Sequence, residues 1–266
     1  MLYLPRQQMR ILFIGDIVAR PGREKVKQVL PQIRQDYSVD LVVANAENIA
    51  HGRGATTEMI REMKSVGIDY FTGGDHLFWQ KGFESEIDLL PVLRPANYPQ
   101  GAAGKGYEII ITKNKSKVLL INLMGRTFLN ERLDDPFRKA DEILDKTKPE
   151  SPDAVLVDFH AEATSEKYAL GFYLDGRVNA VVGTHTHVPT CDARVLENGT
   201  AFVSDVGMTG NINSVLGVKK EIIIDLYLSG QNKKFEWEEE GDAAFRSVLI
   251  TVDDKSKKND IERVDV

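Results

Sequence analysis

Four of the five histidines in this chain directly follow short apolar runs that are typical of buried strands. They are His76, His160, His185 and His187. The densest motif is Gly183-Thr-His-Thr-His187, which follows the mostly apolar residues 178–182. In an extended segment, residues i and i+2 point to the same side, so His185 and His187 could direct two imidazoles at one point. Because imidazole is the commonest side-chain ligand of metals, the motif predicts a metal-dependent enzyme.

Oxygen ligands follow the other predicted strands. They are Asp16, Glu47, Asn48 and Asp75. A single aspartate in such a place usually caps a helix or forms a turn. A set of carboxylates and imidazoles at the ends of different strands instead favours one shared site, since strand ends are where α/β proteins place their chemistry.

The composition of this set predicts the class of metal. Three carboxylates with three or four imidazoles suit zinc, manganese or iron, whereas calcium and magnesium prefer oxygen alone. The set is too large for one tetrahedral ion and predicts two ions about 3.5 to 4 Å apart. Either Glu47 or Asp75 could supply the carboxylate that bridges them.

The elements that must position these residues alternate between strand and helix in the amino-terminal part of the chain. Strands are predicted at residues 11–14, 41–44 and 68–72, and helices at residues 23–35 and 56–66. Such alternation favours a mainly parallel sheet covered by helices.

The rest of the chain mixes hairpins with buried strands. Hairpins are predicted over residues 107–122 and 193–206, a helix over 136–144, and strands over 154–159, 178–182 and 245–252. The last third of the chain is therefore predicted to be rich in strands. Because the ligand candidates come from both halves, they must meet between the halves, and two packed sheets with helices outside would allow this.

Composition and charge limit the class of protein. The 266 residues are 42% hydrophobic and 28% charged, as in a soluble globular protein. No break in composition divides them, so residues 1–266 are predicted to form a single domain, with residues 1–8 as a short amino-terminal extension. A net charge of -6 disfavours non-specific binding to nucleic acid or an anionic membrane. One cysteine and no apolar run typical of a signal peptide predict a cytoplasmic protein.

Several longer motifs carry a family resemblance. They are Gly15-Asp-Ile-Val18, Ala46-Glu-Asn48, Arg94-Pro-Ala-Asn-Tyr-Pro99, His160-Ala-Glu-Ala-Thr-Ser-Glu-Lys167 and Asp205-Val-Gly-Met-Thr-Gly210. Together with the Gly-Thr-His-Thr-His motif, they resemble the YmdB-like bacterial phosphodiesterases of the calcineurin-like metallophosphoesterase superfamily, over residues 9–253. The resemblance implies an α/β (α+β) fold, a four-layer α/β/β/α sandwich in which two mixed sheets pack face to face with helices outside.

The resemblance also implies a role for each site residue. One metal ion would be held by Asp16, Glu47, Asn48 and His187. A second would be held by Glu47, Asp75, His160 and His185, so that Glu47 bridges the two ions. His76 would bind no metal and would protonate the leaving oxygen. Iron is the metal that the resemblance favours, with manganese and zinc as alternatives.

Two positions depart from related patterns. The wider superfamily has a histidine where this chain has Val18; the YmdB-like group shares that loss, and Asn48 would fill the gap. At the second metal, the family has an asparagine where this chain has Asp75. A carboxylate keeps the coordinating oxygen but adds one negative charge, so we expect the second ion to be held more tightly and to be a weaker Lewis acid.

The activity that the resemblance implies is hydrolysis of 2′,3′-cyclic or 3′,5′-cyclic nucleotides, with a metal-bridging hydroxide attacking phosphorus. A phosphomonoesterase or nucleotidase would use the same centre. A regulatory, RNA-associated metal protein with weak catalysis is a third interpretation. RNA ends are a further candidate partner, a homo-oligomer is left open, and no membrane partner is predicted.

Overall fold

The computed structural model describes residues 8–129, 132–253 and 259–266. Except for Gln8, the amino-terminal extension predicted for residues 1–8 lies outside these ranges.

The strands are β1 (Met9–Ile14), β2 (Asp16–Ile17), β3 (Leu41–Asn45), β4 (Tyr70–Thr72), β5 (Val92–Leu93), β6 (Tyr107–Ile111), β7 (Lys117–Met124), β8 (Ala154–His160), β9 (Ala180–Thr184), β10 (Arg194–Val195), β11 (Ala201–Val203), β12 (Met208–Asn211), β13 (Ala243–Ala244), β14 (Ser247–Val252) and β15 (Asp260–Arg263). The α-helices are α1 (Ala19–Asp36), α2 (Thr57–Val66), α3 (Pro136–Thr147), α4 (Thr164–Tyr173) and α5 (Lys220–Ser229). Short 3₁₀ turns lie at Phe83–Ser85, Ile87–Leu89 and Lys148–Glu150.

Twelve of these strands form two mixed sheets of six strands each. The first has the order β15-β14-β1-β3-β4-β5, in which β1, β3, β4 and β5 are parallel, β14 pairs antiparallel with β1, and β15 pairs antiparallel with β14. The second has the order β10-β11-β9-β8-β7-β6, with four parallel strands at its centre and an antiparallel strand at either edge. The remaining strands form a small sheet, β13-β12-β2.

Alternation along β1 shows how the layers pack. Ile11 and Phe13 belong to a core cluster shared with the second sheet, whereas Leu12 and Ile14 belong to one shared with α1 and α2. Successive side chains of a strand point to opposite faces, and a strand covered on both faces therefore reads as a continuous apolar run.

A third core cluster lies on the outer face of the second sheet. Val157 and Phe159 of β8 pack there with Ile143 of α3 and Leu170 of α4. The layers are thus α1 and α2, the first sheet, the second sheet, and α3 and α4. The predicted α/β/β/α arrangement of two mixed sheets with helices outside is confirmed.

Two local features differ from the sequence-based expectation. Helix α1 begins at Ala19 and not at residue 23, with Pro21 in its first turn, where proline is tolerated. Helix α5 lies in the part of the chain predicted to be rich in strands. Its apolar residues are consecutive, Ile222 to Ile224 and Leu226 to Leu228, and so lack helical periodicity; only Ile223 is fully buried.

The parallel strands place their carboxyl ends at one edge where the two sheets meet. From the first sheet, β1, β3 and β4 lead into the segments that carry Asp16, Glu47 and Asp75. From the second, β8 ends at His160 and β9 leads into His185. None of the helices in the described ranges combines the length and the apolar character needed to cross a membrane.

Candidate metal centre

Carboxylates and imidazoles from both sheets converge in two groups. Glu47, Asp75, His160 and His185 offer ligand atoms that all lie within 4.8 Å of one another. Asp16, Glu47 and His187 form a second group by the same measure. Glu47 belongs to both groups, so one buried carboxylate lies between two places where a cation could bind.

The first group is centred on the Nε2 atom of His160, a fully buried residue. This nitrogen lies 3.2 Å from Oε2 of Glu47 and 3.1 Å from Oδ1 of Asp75. The Nδ1 atom of His185 lies 3.0 Å from the same nitrogen and 3.4 Å from Oδ1 of Asp75. Two imidazole nitrogens and two carboxylates facing one another form a donor set that suits a borderline divalent ion.

The second group is built around Asp16, which is also fully buried. Its Oδ1 atom has no hydrogen-bond partner in the described ranges and lies 3.9 Å from Nε2 of His187. Burial raises the pKa of Asp16, and the nearby His187 opposes that rise. A buried carboxylate oxygen without a partner carries a large desolvation cost, which a bound cation would remove.

Asn48 lies between the second group and His76. Its Nδ2 atom donates to Oε1 of Glu47 over 2.8 Å and lies 3.1 Å from Nε2 of His187. Its Oδ1 atom accepts from Nδ1 of His76 over 2.9 Å. Coordination of a metal needs the amide oxygen, so a half-turn of this amide would present Oδ1 to the ligand group.

The protonation of the cluster also fits the binding of cations. Burial opposes ionisation of Glu47, yet the charge and hydrogen bond of His160 outweigh it and lower the pKa of Glu47. Burial likewise opposes the charged form of His160, but Glu47 and Asp75 raise the pKa of this imidazole well above its usual range. Without metal, the carboxylates therefore hold a proton on His160, in a place that a cation could take.

A close approach of the backbone at Gly74 makes room for the cluster. A Cβ atom at this position would lie 2.2 Å from Oε2 of Glu47 and 2.3 Å from Nε2 of His160. Any side chain there would collide with two candidate ligands. The residues of the site are thus compatible with divalent metal ions in their chemistry and in the space they leave.

Hydrogen bonds from outside the cluster orient two of the imidazoles. Nδ1 of His160 donates to Oγ1 of Thr184 over 2.9 Å, and that hydroxyl donates to Oδ1 of Asp158 over 2.8 Å. Nδ1 of His187 donates to the carbonyl oxygen of Leu216 over 3.1 Å. Both rings are thereby held with Nε2 facing the carboxylates, as is usual for metal-binding histidines.

The Gly-Thr-His-Thr-His motif does not continue as a strand. Strand β9 ends at Thr184, and His185 and His187 adopt φ values of 100° and 65°, which non-glycine residues rarely adopt. The expectation that an extended segment directs both imidazoles at one point is therefore wrong. The left-handed backbone turns the two rings apart, one toward each ligand group.

A buried ion pair holds this strained turn in place. The side chain of Asp205 accepts from the backbone N and from Oγ1 of Thr186, over 3.0 and 2.7 Å. It also accepts from Nζ of Lys167 over 2.7 Å, and both charged side chains are almost fully buried. Sequence reasoning assigned no site role to Asp205, although the Asp-Val-Gly-Met-Thr-Gly motif begins at this residue.

His76 stands beside the cluster at the floor of a cavity of about 370 Å³. Its Nε2 atom lies 3.3 Å from Oδ2 of Asp75, and its backbone N donates to Oε2 of Glu47 over 3.1 Å. The opposite wall is largely apolar and includes Leu226 of α5 and Trp237. Sequence reasoning missed this wall, because its residues acquire a common surface only when α5 packs over the site.

All eight predicted site residues thus lie in or beside one cluster, while their binding of metal and their catalytic roles stay predictions. A profile of YmdB-like proteins matches residues 12–264. This chain belongs to the YmdB-like protein family. The predicted family is confirmed.

Relatives of this YmdB-like protein extend over nearly its whole length. One from Bacillus subtilis (strain 168), named 2′,3′-cyclic-nucleotide 2′-phosphodiesterase, is 45% identical over 258 residues, which is 96% of either chain. A solved structure of a hypothetical protein from Thermus thermophilus is 41% identical with a TM-score of 0.90, covering 97% of this chain and 99% of that one.

A solved structure described as a novel phosphatase of Mycoplasma pneumoniae is 34% identical with a TM-score of 0.91, covering 98% of this chain and 94% of that one. These similarities confirm the predicted enzyme class, a metal-dependent phosphoric diester hydrolase, for this YmdB-like chain.

We expect this YmdB-like protein, when purified without chelator, to carry two transition-metal ions per chain. Stripping the ions should lower the thermal unfolding midpoint, because binding to the native state alone stabilises it. Metal analysis and thermal unfolding before and after treatment with a chelator measure both effects. Purified protein with one ion or none, after incubation with excess metal, would contradict a dinuclear site.

Metal binding near neutral pH should release protons. The raised pKa of His160 stabilises the metal-free protein at pH values below the unfolded pKa, and this contribution is lost as pH rises through the folded pKa. A cation competes with that proton, so apparent metal affinity should rise with pH over the same interval. Calorimetry in two buffers with different protonation enthalpies measures the proton release.

Replacing Lys167 by methionine should leave the buried charge of Asp205 without its partner. We expect a loss of about 3 to 5 kcal/mol in the free energy of unfolding, together with weaker metal binding. Lys105→Met, in an exposed pair with Glu108, is the matched control and should cost less than about 1 kcal/mol. Equal denaturation midpoints for the two variants would show that the buried pair does not hold the turn.

Proposed function

We propose that this protein is a dinuclear metal-dependent phosphodiesterase that hydrolyses cyclic nucleotides, with 2′,3′-cyclic nucleotides as its first substrates. The observation that carries the proposal is the position of Glu47, whose carboxylate belongs to two adjacent ligand groups. The name of the Bacillus subtilis relative, 45% identical over 96% of the chain, supports this choice of substrate.

The proposed ligands divide as the two groups divide. One ion would be held by Asp16, Glu47, Asn48 and His187. The other would be held by Glu47, Asp75, His160 and His185. Iron, manganese and zinc all suit this mixture of carboxylates and imidazoles. When bound between these residues, two adjacent cations would lower the pKa of a water toward neutral and would offset the charge that develops on the phosphate oxygens.

His76 is the proposed general acid. Burial opposes its charged form, but the hydrogen bond and charge of Glu47 and the charge of Asp75 together raise its pKa above the usual value. The imidazolium form therefore persists toward neutral pH. Its ring is 22% exposed and lines the cavity, where it can give a proton to the leaving oxygen of a bound phosphate.

The rest of the cavity suits a nucleoside. Its volume of about 370 Å³ is within the range of small-molecule sites. Phe235 and Trp237 contribute aromatic surface to the wall, and a base could stack on such surface while its phosphate lies at the carboxylate cluster. An apolar wall facing a polar floor matches the two ends of a nucleotide.

A substrate panel tests the proposal. Metal-loaded protein should hydrolyse 2′,3′-cyclic AMP, and 3′,5′-cyclic AMP in the same assay shows how broad the activity is. A nucleoside monophosphate assayed in parallel tests the nucleotidase alternative. If only the monoester is hydrolysed, the protein is a phosphomonoesterase and the proposed function is wrong.

His76→Ala should keep both metal ions and lose roughly 10² to 10⁴ in kcat, the usual contribution of a general acid. The structural reason is that His76 lies beside both ligand groups but belongs to neither. Metal content of the same preparation is the control. A variant that has lost an ion would place His76 among the ligands.

Asp75→Asn removes one negative charge from the cluster and from the surroundings of His76. We expect weaker binding of the second ion and a change in turnover. Because Asp75 raises the pKa of His76, the alkaline limb of the pH profile of kcat/KM should move to lower pH. Metal titrations and pH profiles of the two proteins measure this, and unchanged metal content, rate and pH profile would contradict the charge argument.

A further inference from the structure

A second cavity adjoins the one above the metal centre. It has a volume of about 570 Å³. Four residues, Arg53, Leu226, Phe235 and Trp237, line both cavities. A ligand that fills the first cavity therefore meets the second across a wall of one arginine and three apolar side chains.

The second cavity is lined by cationic groups although the protein as a whole carries a charge of -6. Arg53, Lys233 and Lys234 line it together with His51, and within the described ranges no carboxylate does. Lys233 is paired with Asp225 over 2.6 Å. Arg53 and Lys234 have no carboxylate within 4.0 Å among the described residues, so they carry most of the available positive charge.

Arg53 is held in position but not neutralised. Its guanidinium lies 4.8 Å from the ring centre of Trp79 and 5.6 Å from that of Phe235. Its Nε atom is buried and has no hydrogen-bond partner within the described part of the chain. A planar guanidinium fixed by aromatic rings, with unused N–H donors, has the geometry that recognises phosphate.

The loop that carries Arg53 is shaped for this arrangement. Gly52 has a φ of 79°, and a Cβ atom there would lie 2.1 Å from the Trp237 ring, so only glycine fits. The carbonyl oxygen of Arg53 accepts from Nε2 of Gln80 over 2.6 Å. The backbone on which the guanidinium stands is thus fixed from two sides.

We propose that the second cavity binds a second phosphate group of the same substrate molecule, attached to the 5′ oxygen of the nucleoside whose other phosphate lies at the metal centre. The inference rests on the proposed function. The aromatic wall between the cavities would take the nucleoside, with a phosphate on either side. The second phosphate is either terminal or the linkage to a preceding nucleotide, and both forms present non-bridging oxygens to Arg53 and Lys234.

Equilibrium binding to the metal-loaded protein tests the inference without turnover. Adenosine 3′,5′-bisphosphate should bind about tenfold more tightly than adenosine 3′-monophosphate, the effect expected of a charge-assisted contact to one phosphate. A dinucleotide with a 3′-phosphate tests the internal linkage, and a gain in either arm supports the cavity. Equal affinities of all three ligands would overturn the inference.

Variants separate a built subsite from general attraction to the metal centre. Lys234→Ala and Arg53→Ala should each remove most of the gain in affinity that the second phosphate gives. Lys64→Ala, an exposed lysine of α2 that lines neither cavity, should keep the gain. A gain that persists in both cavity variants would overturn the proposal.

The two proposals fail in different measurements. Absence of turnover on every cyclic nucleotide would contradict the proposed function. The binding comparison would still test whether the second cavity binds a phosphate. Turnover of cyclic nucleotides together with equal affinities for the monophosphate and the bisphosphate would contradict the second phosphate site and leave the proposed function standing.

Discussion

Three carboxylates, those of Asp16, Glu47 and Asp75, meet where the ends of two sheets converge, and their repulsion must be balanced in a place that water barely reaches. A proton on His160, whose pKa is raised by Glu47 and Asp75, offsets part of it in the metal-free protein. Bound cations would offset it further, because they would satisfy carboxylate oxygens such as Oδ1 of Asp16, which has no hydrogen-bond partner among the described residues. The ligand set, the strained turn and the close approach of Gly74 all follow from this concentration of buried charge.

Two further buried acids near the cluster, Asp205 and Asp158, differ in how their charge is balanced. Asp205 is paired with Lys167 and accepts hydrogen bonds that hold Thr186 between the two candidate ligands His185 and His187. Asp158 has no lysine partner among the residues that the structure describes, and burial raises its pKa to about 7, while it accepts a hydrogen bond from the hydroxyl of Thr184 behind His160. One acid fixes the backbone of the turn, and the other orients an imidazole through a neutral hydroxyl.

The two sheets and the segment after them have different tasks. Strand ends supply the polar floor, whereas α5 and the residues that follow it supply the apolar wall and part of a neighbouring cationic cavity. Rigid parallel strands suit the floor, since small shifts would separate ligand atoms that lie about 3 Å apart. The wall supplies none of the candidate ligands among the described residues, so its composition bears on which nucleotides would bind more than on the chemistry.

Local sequence determined which segments form buried strands and which residues lie at their ends. Both are visible within a few positions, as an apolar run and the polar residues that interrupt it. The ligand candidates at Asp16, Glu47, Asp75 and His160 could be found in this way, and the motifs around them predicted the family and the four layers. The family resemblance also predicted how the candidate ligands divide into two groups, but only the tertiary structure shows the backbone that separates them. The separation of His185 from His187 depends on a left-handed backbone held by Asp205, twenty residues away from His185 in sequence. The wall of α5 and the free guanidinium of Arg53 likewise arise from contacts between segments far apart in the chain, and local periodicity carries no information about such contacts.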